Sequence, residues 1–159
     1  MLSVTWNMGG ATENVFMHQL DTLLPNPQEH SLIFFASQEC LGNKMTPRVQ
    51  MLESYMKSKG FENIDQQHSF VYMFQMFLIC FVKTSLSKEV SQVMSQRVAK
   101  GKNLVVSTVG NKGGLCYSFV LKNHTFNVIG CHLQHKQEKQ AKRNKMSREL
   151  LNEMKMQEL

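Results

Sequence analysis

The sequence predicts an α/β (or α+β) fold with a mixed sheet. Three observations carry this. The hydrophobic period switches repeatedly between two and about 3.6 residues. One five-residue run, Leu32-Ile33-Phe34-Phe35-Ala36, is apolar on both faces, as a central strand must be. Helical stripes stand between some of the strands instead of in a separate block. The chain has 159 residues, the length of one ordinary domain, and its 42% hydrophobic content excludes a disordered chain.

Taken in order, residues 2–6 form a short strand that Gly9-Gly10 ends. Thr12 is an N-cap with Glu13 in the first turn, and Phe16, Leu20, Leu23 and Leu24 share one helical face. Pro25 and Pro27 close that helix. The central strand, residues 32–36, follows, and a turn with Gly42-Asn43 comes next. Thr46-Pro47 reads as an N-cap with proline at the first helical position, Val49, Leu52, Tyr55 and Met56 form the buried stripe, and Gly60 is the stop. From Phe61 to about Val109 the chain reads mostly as strand: residues 61–65, a single run over 70–82, a polar stretch through Ser95, and 104–109. Residues 115–121 and 125–131 form a hairpin around Lys122-Asn123-His124. Residues 136–159 are helical, with Met146, Leu150 and Met154 at four-residue intervals. No repeat, linker or second domain is visible, so residues 1–159 are read as one unit.

The formal net charge of +6 favours anionic partners: phosphate esters, acidic lipid surfaces or nucleic acid. Cys40, Cys80, Cys116 and Cys131 are widely spaced and lie in or beside apolar runs, which predicts buried free thiols and a reducing, cytoplasmic setting. No secretory signal precedes the first strand, and the run from Phe70 to Val82 is too short for a membrane-spanning helix.

Four short pieces carry chemistry. Glu39 follows a fully apolar strand, where a carboxylate emerges among loops and suits Mg²⁺, a cation that prefers oxygen ligands. Asn7 follows the first strand in the same way and could support a metal-bound water or a phosphate oxygen. Lys112 stands in Gly110-Asn111-Lys112-Gly113-Gly114, where the glycines let backbone amides approach an anion and the ammonium adds a point charge. His132 ends the strand over 126–131 and can hydrogen-bond a phosphate oxygen. Taken alone, Glu39, Asn7 and His132 each read better as ordinary surface, turn or core residues, and Lys112 reads equally well as part of a hairpin turn, so the argument rests on the set. Lys136, Lys139, Lys142, Arg143, Lys145 and Arg148 make the last segment basic. This is either a solvated face or a contact for an acidic membrane surface.

In order, Thr5-Trp6-Asn7, Gln38-Glu39, Gly110-Asn111-Lys112-Gly113-Gly114, Cys131-His132-Leu133 and Arg143-Asn144 resemble the inositol polyphosphate 5-phosphatase family, within the endonuclease/exonuclease/phosphatase superfamily. The resemblance implies a deoxyribonuclease-like sandwich of two sheets with outer helices and the site at one end. It implies Glu39 as the Mg²⁺ ligand, Asn7 and His132 as catalytic residues at the metal and the scissile phosphate, and Lys112 with Asn111 as substrate-binding residues. The activity implied is Mg²⁺-dependent hydrolysis of the 5-phosphate of phosphoinositides or inositol polyphosphates. The family's Gly-Asp-x-Asn, Trp-x-x-Asp-Arg and Ser-Asp-His segments do not occur, so the chain corresponds to the N-terminal half of such a catalytic domain. The alternative reading is a non-catalytic phosphoinositide-binding or interaction protein derived from that domain. A nuclease-like branch fits the positive charge, but the Asn-Lys-Gly-Gly turn argues against it and no nucleic-acid partner is expected.

Overall fold

A computed structural model of the chain describes residues 1–100, 103–104, 107–108 and 112–154. Among these, one sheet contains β1 (Leu2–Asn7), β2 (Leu32–Gln38), β5 (Met76–Lys83) and β3 (Phe61–Asn63) in that order, with β4 (Val71–Met73) sharing β5's outer edge with β3. The β1–β2 pairing is parallel and the β5 pairings are antiparallel, so the sheet is mixed. A second sheet has the order β10 (His124–His132), β9 (Gly113–Leu121) and β6 (Val90–Ala99), all antiparallel. A small pairing of β7 (Asn103–Leu104) with β8 (Ser107–Thr108) stands apart from both.

β2 shows why the layers form. All of its residues are buried. Ile33 and Phe35 pack into one core with Phe16, Leu20 and Leu24 of α1 (Glu13–Leu23) and its C-terminal cap, and with Val49, Leu52 and Met56 of α2 (Gly42–Ser58). Leu32, Phe34 and Ala36 point the other way, into a second core with Leu115, Tyr117, Phe119 and Leu121 of β9. Covering both faces keeps residues 32–36 apolar, as the run demanded, and the buried polar Ser37 and Gln38 come only at the strand's end. On the far side of β9, Cys116 packs against Leu150 of α3 (Gln140–Glu153) and Met154. The described residues thus stack as helices, sheet, sheet, helix. A buried polar tie links the sheets: the Tyr117 hydroxyl donates to Asp65 Oδ2 at 3.0 Å. Burial and the adjacent carboxylate push the Tyr117 phenol far above its usual range.

Several sequence expectations hold in detail. Thr12 Oγ1 accepts from the Val15 amide, Gly60 turns at φ +84°, and Lys122 at φ +56° makes the β9–β10 turn. Others are corrected. The run over 70–82 is not one strand but a hairpin, turned at Phe74 (φ +54°). Its periodicity misleads because both arms face apolar surroundings. α2 starts at Gly42, not at Thr46-Pro47, and Pro47 lies inside it. Pro47 cannot bond to the carbonyl of Asn43 and its ring crowds that carbonyl, a cost set against the burial of Met45 that the earlier start brings. Cys40, Cys80 and Cys116 are buried, but Cys131 is exposed, because β10 is an edge strand with one face open. The expected single strand over 104–109 is not found: Leu104 belongs to β7 and Ser107–Thr108 to β8, which pair antiparallel, and residues 105, 106 and 109 lie outside the described residues.

Candidate active site

Asn7, Glu39, Lys112 and His132 meet at one end of the sandwich, and the register explains how. In the parallel β1–β2 pair Asn7 stands opposite Gln38, so the chain leaves both strands on the same side, with Glu39 next. In the antiparallel β9–β10 pair His132 stands opposite Gly113, and Lys112 immediately precedes it. One sheet therefore supplies Asn7 and Glu39, and the other supplies Lys112 and His132. The two sheets come together here at Gly130, where a Cβ would lie 3.0 Å from the Ala36 methyl.

Asn7 Nδ2 donates to Glu39 Oε1 at 2.9 Å, while Asn7 Oδ1 accepts from the Gly9 amide at 3.1 Å. The same Glu39 oxygen lies 3.7 Å from His132 Nε2. That nitrogen is 2.7 Å from Lys112 Nζ. With the lysine charged, Nε2 accepts and the ring proton is on Nδ1. Lys112 is buried, and the loss of water around it pulls its ammonium below the usual lysine range, against the opposing pull of Glu39. Glu39 has a side chain 42% exposed, so its second oxygen remains accessible to a solute.

Two features here were not read from the sequence. Glu39 adopts φ +55°, the left-handed region that a residue with a Cβ seldom enters. The Cys40 amide holds this turn by donating to Gln75 O at 2.9 Å. No residue-type signal announces such a conformation in a glutamate. The second is a scaffold beneath the site. Gln38 Nε2 donates to Thr5 Oγ1 at 3.2 Å, and Arg143 Nη1 reaches the carbonyls of Gln134 and Lys136, tying the chain after His132 to α3. The family-like Arg143-Asn144 pair hinted at the latter. Asn111 lies outside the described residues.

Among the described residues no three His, Cys, Asp or Glu side chains are grouped to hold a metal ion. The donor set nevertheless fits Mg²⁺, which commonly takes one or two protein carboxylates with water and substrate phosphate completing its shell. Glu39 would supply the hard oxygen donor, and the hydrogen bond from Asn7 holds its carboxylate. The basic face of α3 is partly neutralised: Lys145 pairs with Glu149 at 3.8 Å, and Glu149 also faces Lys100 at 3.4 Å. No described helix is long and apolar enough to cross a membrane.

Two facing sheets with outer helices, and a carboxylate, amide, lysine and histidine gathered at one end of the sandwich, define a deoxyribonuclease-like fold. The model of endonuclease/exonuclease/phosphatase family 2 matches residues 4–159, and the chain belongs to that family. Among solved structures it is similar to the inositol polyphosphate 5-phosphatase domain of SPsynaptojanin, crystallised with inositol (1,4)-bisphosphate and a calcium ion. That match has a TM-score of 0.73 at 15% identity and covers 97% of this chain and 46% of the other. It is also similar to Cimex nitrophorin (TM-score 0.60, 19% identity, 84% of this chain and 46% of the other). A third similar structure is D. rerio TDP2 with a single-strand DNA product (TM-score 0.57, 16% identity, 94% and 52%). The chain spans about half the length of these proteins. No curated protein sequence matches it.

Proposed function

We propose that the chain carries the N-terminal part of a Mg²⁺-dependent phosphomonoesterase site acting on the 5-phosphate of phosphoinositides or inositol polyphosphates, in the cytoplasm and in peripheral contact with acidic membranes. The observation that supports this most is the contact series Asn7–Glu39–His132–Lys112, assembled from residues up to 125 positions apart. In this reading Glu39 holds the metal ion and Asn7 fixes the carboxylate. Lys112 and His132 turn from each other to the oxygens of the phosphate and stabilise the charge that grows there during in-line displacement. A bound Mg²⁺ polarises the phosphoryl oxygens and neutralises their charge. Asn111 would add contacts to the substrate beside Lys112.

The test is phosphate release from a 5-phosphorylated inositol phosphate with Mg²⁺, alongside calorimetric binding of the same compound. Glu39→Gln is expected to abolish release, and Asn7→Ala to lower activity or metal affinity by about 10–100-fold, the usual effect of removing an outer-shell partner. Full turnover in Glu39→Gln would refute its role. The second reading, phosphoinositide binding without hydrolysis, is favoured by the single carboxylate in the cluster. It predicts binding that Lys112→Met weakens, with no release. Cleavage of an oligonucleotide without action on inositides would replace both readings.

A further inference from the structure

The buried stripe of α2 contains one residue that stability alone does not account for. Met45, Val49, Leu52 and Met56 are apolar and buried, and Arg48 lies among them with none of its surface exposed. A buried guanidinium normally meets a carboxylate. The hydrogen bonds of Arg48 go elsewhere. Nη1 donates to Cys40 Sγ at 3.3 Å and to Met8 Sδ at 3.7 Å, Nη2 donates to Ala11 O, and Nε is buried with no partner. Two of these acceptors are sulfurs, which are weak. A methionine or leucine would fill the position without desolvating a charge.

What the three acceptors share is their place in the chain. Met8 directly follows Asn7, Ala11 closes the same loop after β1, and Cys40 directly follows Glu39. The guanidinium fork is thus anchored on both loops that carry the Asn7–Glu39 pair, from beneath the sheet end. Elsewhere in that layer the loops are joined by the Met8 amide donating to Gln38 O at 2.8 Å. That bond fixes the strand ends but not the residue at φ +55° beyond them.

We propose that Arg48 is a positioning residue for the Asn7–Glu39 pair: its two-pronged side chain holds the loops after β1 and β2 at the separation at which the amide supports the carboxylate. For the step to metal binding, the proposal rests on Glu39 being the metal ligand. Lysine cannot substitute, because a single ammonium lacks the planar fork that reaches both loops at once.

The experiment uses the full 159-residue chain with Arg48→Met, Arg48→Lys, Glu39→Gln and, as a core control distant from the loops, Phe119→Leu. Two readouts are followed: the Asn7 side-chain amide resonances, which report the hydrogen bond to Glu39, and the affinity for Mn²⁺ by electron paramagnetic resonance. Expected in both Arg48 variants is movement of the Asn7 amide towards its position in Glu39→Gln, with Mn²⁺ affinity at least tenfold lower. The thermal midpoint of Arg48→Met should be no lower than that of the wild type, and Phe119→Leu should leave the Asn7 amide in place. An unmoved Asn7 amide in both Arg48 variants overturns the proposal, as does equal movement in Phe119→Leu, which would reduce the effect to general loosening. Unchanged Mn²⁺ affinity in Glu39→Gln would remove the metal reading of Glu39, and the Asn7 amide would then decide the Arg48 role by itself. Should the Arg48 variants not fold, the wild-type chain decides: separate, slowly exchanging Arg48 Nη resonances support the clamp, and a freely rotating, averaged signal overturns it.

Discussion

Glu39 combines two demands that oppose each other. Its carboxylate faces the accessible end of the sandwich, and its backbone pays for that direction with a left-handed turn at φ +55°. For a non-glycine residue the turn costs about 1–2 kcal/mol. Glu39→Gly is therefore expected to raise the unfolding free energy by roughly 1 kcal/mol, read from denaturant midpoints, while losing metal binding. A lower stability would show that the carboxylate's bond from Asn7 outweighs the backbone strain. Tyr117 gives a second residue-level expectation. Its phenol is pushed far above the usual value of 10 by burial and by Asp65. Below pH 10 both folded and unfolded chains keep the proton, and the contribution is fully present. Above pH 10 the unfolded chain ionises first, so the native state holds more protons and stability falls as pH rises. Tyr117→Phe should cost about 1–3 kcal/mol at neutral pH through the donor lost to the buried Asp65 Oδ2, and should flatten that alkaline decline in pH-dependent melting. At this scale the sequence showed which residue types could serve a phosphate, because Asn7, Glu39, Lys112 and His132 each follow or precede an apolar strand. It did not show the Glu39 turn or the Arg48 burial, since both arise from contacts 8 to 40 residues away.

Elements place these residues, and β9 does so under the tightest constraint. Gly113 opens the strand at φ +151°, and a Cβ there would lie 2.2 Å from Val98 O and 2.6 Å from the Met73 side chain. The glycines after Lys112 are buried residues of the ladder between β6 and β10, so they serve close strand packing and not the amide exposure expected from the sequence. Gly113→Ala must displace backbone, with an expected loss of about 1–3 kcal/mol and a shift of Lys112 away from His132. A thermal midpoint within one degree of wild type would contradict this. The β9–β10 hairpin, β1, β2 and α1 were legible because their patterns were clean and their turns and caps local. The β4–β5 turn and the start of α2 were not. Phe74 carries no distinctive turn signal, whereas Gly42-Asn43 reads as a turn and is instead the first turn of α2; Met45 and Met73 are buried beside these two boundaries.

Across the whole molecule, stability should be graded by layer. β2 and β5 are buried on both faces, whereas β10 and β6 are edge strands whose residues are mostly partly or wholly exposed. Amide hydrogen exchange is expected to be slowest in β2 and β5 and faster by orders of magnitude in β6 and β10, because edge amides open by local fraying. Uniform protection across both sheets would count against that grading. The double-sided burial of residues 32–36 was the one global fact the chain stated outright; that a second sheet covers it could be known only from the resemblance, since periodicity names faces and not their partners. The approach of Gly130 to Ala36 has a last consequence. The carboxylate side and the lysine–histidine side of the cleft ride on different sheets, so the gap between them is set by the thickness of the hydrocarbon filling. Enlarging Ala36 or Gly130 by a single methyl would act like a shim in a vice, widening the jaws at the rim without touching any residue that grips.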